Sequence, residues 1–180
     1  MPTATPTASP AFVAVHGSGR VIFWTALICG TMDISAAFIS ANLMSGVGPA
    51  LVLRSVASAL LGPDVRDGDS WAVGAFGLAL HYAIATGWTV LFYRLSRRWP
   101  VLTRQPVWSG LLYGTFVYVC MNLIVVQAAF LFRRLYVHLP TAYAYAPRLS
   151  WVQFFIILGC IGLPIAFSVR WLTRGERRAG

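Results

Sequence analysis

Four stretches of this chain, residues 21–44, 71–93, 107–132 and 149–171, are almost wholly apolar. Each holds about 20 residues or more, which at about 1.5 Å rise per residue spans a hydrocarbon core of about 30 Å. A fifth apolar stretch, residues 49–61 (PALVLRSVASALL), is too short to cross and predicts an interfacial or re-entrant helix. Breakers set the boundaries: Ser45-Gly46-Val47-Gly48-Pro49 ends the first run, and Gly62-Pro63 ends the short segment. The link from Trp99-Pro100 to Gln105-Pro106 is brief, so the second and third runs are expected to be antiparallel neighbours. In lipid, backbone groups are satisfied only within helices or closed barrels. The pattern therefore predicts an all-α membrane protein: a bundle of four transmembrane helices with a short helix between the first and second.

One domain is expected over residues 20–172. A Pro-, Thr- and Ala-rich segment, residues 1–19, reads as a disordered tail, and residues 173–180 read as a basic C-terminal tail. The first run differs from a signal peptide. No basic residue precedes Arg20, and Asp33 sits in the middle of the run. Composition agrees with the membrane reading: 58% of residues are hydrophobic and 11% charged, against roughly 45–50% and 25% in soluble domains. Mean hydropathy is +0.69.

A net charge of +9 suggests nucleic acid in a soluble protein, but its placement here argues against that partner. Every basic residue is arginine, and the arginines gather at the ends of the apolar runs. Arg94, Arg97, Arg98 and Arg104 lie between the second and third runs; Arg170, Arg174, Arg177 and Arg178 end the chain, and Arg20 precedes the first run. Placing both termini in the cytoplasm collects all of these inside, and leaves Arg54, Arg66, Arg133, Arg134 and Arg148 outside with Asp64, Asp67 and Asp69. The positive-inside rule thus favours N-in and C-in. Arg94, Arg97, Arg98, Arg104, Arg170 and Arg174 form the expected rim for anionic lipid headgroups.

Three runs place a polar residue near mid-span: Asp33, His81 and Asn122. A charged residue at the bilayer centre costs about 2.5–3.5 kcal/mol on insertion scales, so a chain that keeps one there needs a reason. Counted from opposite faces, the three fall within about one helical turn of a common plane. Helix-face neighbours support their convergence, with small residues such as Gly30 beside Asp33 and Gly74 and Gly77 beside His81. An ionised Asp33 requires a donor or cation nearby, which His81 can supply, and histidine titrates near neutrality. An Asp–His pair is therefore a natural proton-holding unit, and Asn122 can add a hydrogen bond. The plainer alternative is that the three only hold helices together, at about 0.6–2 kcal/mol per bond.

Other chemistry finds little support. Cys29, Cys120 and Cys160 all lie in apolar runs without CxxC spacing, so neither a zinc site nor a disulfide framework is indicated. No second intramembrane histidine pairs with His81 for haem. The acidic turn Asp64 to Asp69 lacks the EF-hand pattern, and no nucleophile or phosphate-loop motif is present. No catalytic residue, metal or cofactor is expected. Gly110-Leu111-Leu112-Tyr113-Gly114 supplies a GxxxG packing face, and Pro164 predicts a bend in the fourth helix. Tyr136, Tyr143 and Tyr145 read as residues of the membrane interface.

Leu78 to Ala85 (LALHYAIA), Gly110 to Gly114 and Gly162 to Ala166 (GLPIA) resemble segments of uncharacterised bacterial four-helix membrane proteins, and more distantly the YagU-like inner-membrane proteins. Those relatives carry a histidine about seven residues before the helix-4 proline; here that position is Ile157. The resemblance implies an inner-membrane location and no particular activity. Two functional readings follow from the residues. One is a non-enzymatic membrane protein with a buried polar cluster, working as a homo-oligomer or as an accessory subunit of a membrane complex. The other is a small proton-coupled transporter with Asp33 as the carboxylate that holds proton or substrate.

Overall fold

The structure, a computed structural model, describes residues 10–136 and 150–179, with side chains described except at positions 10–17, 130, 133, 134, 136 and 175–179. The described residues form helices α1 (Pro10–Ser45), α2 (Pro49–Leu61), α3 (Trp71–Arg98), α4 (Val101–Arg104), α5 (Pro106–Cys120), α6 (Val126–Tyr136), α7 (Trp151–Ile157) and α8 (Leu163–Ala179). A π turn over Met121–Val125 joins α5 to α6, and another over Leu158–Gly162 joins α7 to α8. Four continuous stretches are long and apolar enough to cross a membrane: Ser18–Ser45, Trp71–Arg98, Pro106–Ala129 and Trp151–Arg174. These match the four expected spans, and α2 is the short helix expected between the first two. The fold is an all-α bundle.

One boundary differs from the sequence reading. Helix is present from Pro10, inside the segment expected to be a disordered tail. The run Ala11-Phe12-Val13-Ala14-Val15 contains no breaker, and the helix continues to it from the apolar span through Gly17 and Gly19, each tolerated at a cost of about 1 kcal/mol relative to alanine. Residues 1–9 of that expected tail, and Tyr143, Tyr145, His138 and Arg148, lie outside the described residues.

Around the bundle, α1 packs against α3 on one side and against α7 and α8 on the other, while α5 packs against α7 and α8. Aromatic contacts bring α5 to α3: the Phe92 and Tyr113 rings meet at 4.9 Å, and the Tyr113 hydroxyl donates to the Trp88 carbonyl at 2.6 Å. The buried core holds Cys29, Phe92, Val117, Ile161, Ile165 and Val169, with the lipid-facing surface left to Phe23, Leu43, Leu112 and Phe155. Lipid tails are as apolar as these side chains, so close packing rather than water exclusion holds such helices together.

Glycine permits that packing at three places. A Cβ on Gly30 would lie 2.8 Å from the Tyr82 ring, so α1 and α3 touch there. A Cβ on Gly77 would overlap the Leu53 carbonyl, and Gly74 faces Leu53 at 4.0 Å; these two seat α2 on α3. Gly110 and Gly114 meet the second π turn, where a Cβ on Gly110 would lie 2.9 Å from the Leu163 Cα. The expected GxxxG face is thus used within the bundle.

Both π turns have a local reason. Pro164 has no N–H to give the preceding turn, and the helix widens over Leu158–Gly162 immediately before it. The irregularity expected at the proline therefore sits one turn earlier. At Met121–Val125, widening disturbs the backbone ladder, and the Asn122 side chain steps in by donating from Nδ2 to the Tyr118 carbonyl at 2.9 Å.

The two ends of the bundle differ in charge. Ser18 and Tyr93 are bonded at 2.9 Å, and Arg170 donates to the Arg104 carbonyl at 3.4 Å, so Arg94, Arg97, Arg98, Arg104, Arg170 and Arg174 belong to one end. Across α3, about 40 Å away by helical rise, Asp69 pairs with Arg54 of α2 at 3.4 Å.

Candidate functional site

Asp33 and His81 project from different helices into the wall of one cavity. Its volume is about 470 Å³, and α1, α2, α3, the first π turn and α7 all contribute to it. The two residues reach the same level because α1 and α3 run in opposite directions, with Asp33 and His81 each near the middle of its span. Gly30, one helical turn before Asp33, lets α3 approach closely enough for a direct bond. The His81 Nε2 lies 2.9 Å from the Gly30 carbonyl. A carbonyl only accepts, so Nε2 carries the hydrogen. The neutral ring then keeps its lone pair on Nδ1, leaving His81 one nitrogen able to take a proton.

Asp33 differs from His81 in its bonding. The carboxylate is half-buried. Among the described residues, the hydrogen bonds and ion pairs do not include it. His81 lines the same cavity. A buried carboxylate is ordinarily satisfied by donors or by a paired cation. Here it lines the cavity wall beside Ile34, Ala37, Val56, Ile84 and Trp88.

From mid-span the cavity extends toward the α2 end of the bundle, where Met44, Ser45, Ser150, Val152 and Gln153 line it. From Asp33 to Ser45 is about 18 Å by helical rise. Val52 and Val56 of α2 close one side of this passage. The short helix is therefore part of the cavity wall as well as a surface element. Its position depends on Gly77, where a Cβ would overlap the Leu53 carbonyl and hold α2 off α3.

Asn122 takes a different place. It is buried and bonded to its own helix through Tyr118, and it is not among the described residues that line the cavity. The structure brings Asp33 and His81 together and assigns Asn122 to the π turn. Its neighbour Met121 reaches the cavity instead, and accepts a weak bond from the Trp88 Nε1 at 3.4 Å.

Several wall residues escape a search for mid-span polar positions. Gln153 and Ser150 lie at the edge of an apolar run, where polar residues are ordinary and give no signal of a site. Val52 and Val56 carry no such signal, because their role depends on how α2 docks. Among the described residues, no group of three or more His, Cys, Asp or Glu side chains is placed to hold a metal ion. Chemically, the site offers one carboxylate with no hydrogen bond or ion pair among the described residues, one histidine and a largely apolar space big enough for a small organic molecule. Compared with known proteins, the chain matches no family model, no curated protein and no solved structure.

Proposed function

We propose that this chain is a non-enzymatic, multi-pass protein of a bacterial inner membrane, with both termini inside, that works as a small proton-coupled carrier. Asp33 is the group that holds a proton or a cationic substrate by turns, and the cavity receives the apolar body of that substrate. The observation that carries this reading is the Asp33 carboxylate, without a hydrogen bond or ion pair among the described residues, lining a largely apolar cavity of about 470 Å³ beside His81. A residue kept only to join helices is expected to spend its polar atoms on a neighbouring helix, as His81 does on the Gly30 carbonyl. Intramembrane acids more often mark substrate or proton paths. His81, fixed on the Gly30 carbonyl, is placed to relay the proton. In proteoliposomes with an imposed pH gradient, the wild type is expected to move a small lipophilic cation such as tetraphenylphosphonium. No flux from correctly folded protein, with any of several such cations, contradicts the carrier reading.

A second reading, an oligomeric or accessory membrane subunit, draws on a different face. Ala75, Ala79, Ala83 and Gly87 recur every fourth residue along α3, and all four are exposed. A Cβ on Gly87 meets nothing within 4 Å. Small residues at that spacing allow two helix backbones to approach closely, whereas a purely lipid-facing helix gains nothing from them. Under this reading, Ala79→Leu weakens self-association at least tenfold in lipid nanodiscs, measured by energy transfer between labelled copies. An unchanged signal removes this face from consideration. The two readings are compatible, since the stripe lies away from the cavity wall.

A further inference from the structure

We propose that Arg104, Arg170 and Arg174 hold the phosphate of an anionic lipid headgroup in a groove between α4 and α8. This rests on the membrane-embedded reading of the chain and is independent of the carrier. Pro100, Thr103 and Arg104 line one side of the groove, and Arg170, Thr173 and Arg174 the other, around a volume of about 250 Å³. That is room for a phosphodiester and its adjoining carbons, and too little for acyl chains.

Three guanidinium groups around one small groove repel one another unless an anion joins them. Among the described side chains the carboxylates are elsewhere, Asp33 at mid-span and Asp64, Asp67 and Asp69 at the opposite end; Glu176, two residues beyond Arg174, lies outside the described side chains. The only described ion pair, Arg54 with Asp69, is also at that opposite end. Both threonine hydroxyls are committed as donors, Thr103 to the Pro100 carbonyl at 3.0 Å and Thr173 to the Val169 carbonyl at 2.6 Å. The recognising groups are therefore the arginines, whose planar forks suit phosphate oxygens. Arg170 is held in place by its bond to the Arg104 carbonyl, so the two sides of the groove are already joined before any ligand enters.

The level of the groove selects lipid over a soluble phosphate. It sits where the third candidate span begins, at Pro106, and the fourth ends, at Arg174. Trp99, Trp108 and Trp171 are exposed around the same end. Tryptophan at a bundle end marks the headgroup layer, which is where lipid phosphates lie. Zwitterionic headgroups bring their own cation against the arginines, so anionic lipid is the preferred occupant.

Native mass spectrometry of the purified full chain, titrated with phosphatidylglycerol or phosphatidylcholine, tests the site. The wild type is expected to retain phosphatidylglycerol at least tenfold more strongly. The R104Q/R170Q/R174Q variant should abolish that preference, and R94Q/R97Q/R98Q, which removes as much charge from the rim outside the groove, should lower it by no more than about twofold. Should the first variant fold poorly by thermal melting, R104Q/R174Q spares the half-buried Arg170 and is expected to lower the preference at least threefold. Equal losses in the two triple variants would mean a diffuse basic rim and overturn the proposal. Displacement of phosphatidylglycerol by millimolar inorganic phosphate would overturn the lipid assignment.

Discussion

Asp33→Asn is expected to abolish binding of a lipophilic cation, lowering affinity at least 30-fold, while leaving the bundle folded. Asparagine has nearly the same shape as aspartate and carries no charge. Truncating one partner of a buried charge pair costs about 2–5 kcal/mol, and 2 kcal/mol is already about a 30-fold change in affinity. The folding cost should be small, because the described structure gives Asp33 no hydrogen bond or ion pair to lose. Melting in detergent should accordingly stay within a few degrees of wild type. His81→Ala should behave in the opposite way. It removes the bond to the Gly30 carbonyl between α1 and α3 and should lower stability by about 1 kcal/mol. Its effect on cation affinity should be smaller than that of Asp33→Asn. Equilibrium binding and thermal melting of the two variants separate the roles. Unchanged cation affinity in Asp33→Asn removes the carboxylate from the site.

A large loss of stability is expected at Gly162. A Cβ there would overlap the Gly110 carbonyl and lie 2.8 Å from the Gly114 Cα. All of these neighbours are backbone, so no side-chain rotation relieves the overlap. Gly162→Ala should cost about 1–3 kcal/mol, the range for overpacking a close contact, and Gly162→Leu should separate α5 from the last span altogether. Gly159 supplies the control three residues earlier, because a Cβ there meets nothing within 4 Å. Gly159→Ala should be neutral or slightly stabilising, since alanine favours helix over glycine by up to about 1 kcal/mol. Thermal unfolding in a single detergent measures both, and equal melting temperatures for the Gly162 and Gly159 alanine variants would contradict the packing described here.

The architecture was largely legible in the sequence because the bilayer imposes so coarse a rule. A helix must be apolar over its span, and breakers such as Gly46-Val47-Gly48-Pro49 and Trp99-Pro100 must fall between spans. Depth was legible for the same reason: counting residues from opposite faces places Asp33 and His81 at one level, and they line one cavity. Rotation and local irregularity were less accessible. Asn122 has the right depth, yet a π turn gives its amide a carbonyl in its own helix, and π turns leave no reliable mark in residue pattern. Gly74 and Gly77 share a helical face with His81, but the helix they receive is α2, whose docking depends on tertiary contacts and not on periodicity. The cavity itself is a property of several helices at once. Apolar wall residues such as Val56 and Ile84 look like any other lipid-soluble side chain in the sequence.

Proton release on ligand binding tests the central claim most directly. In weakly buffered detergent solution, tetraphenylphosphonium added to the wild type should release close to one proton per cation bound, followed with a pH-sensitive dye. Asp33→Asn should release none. Cation binding without proton release, or equal release from wild type and Asp33→Asn, would contradict the assignment of Asp33 as the group that exchanges proton for substrate.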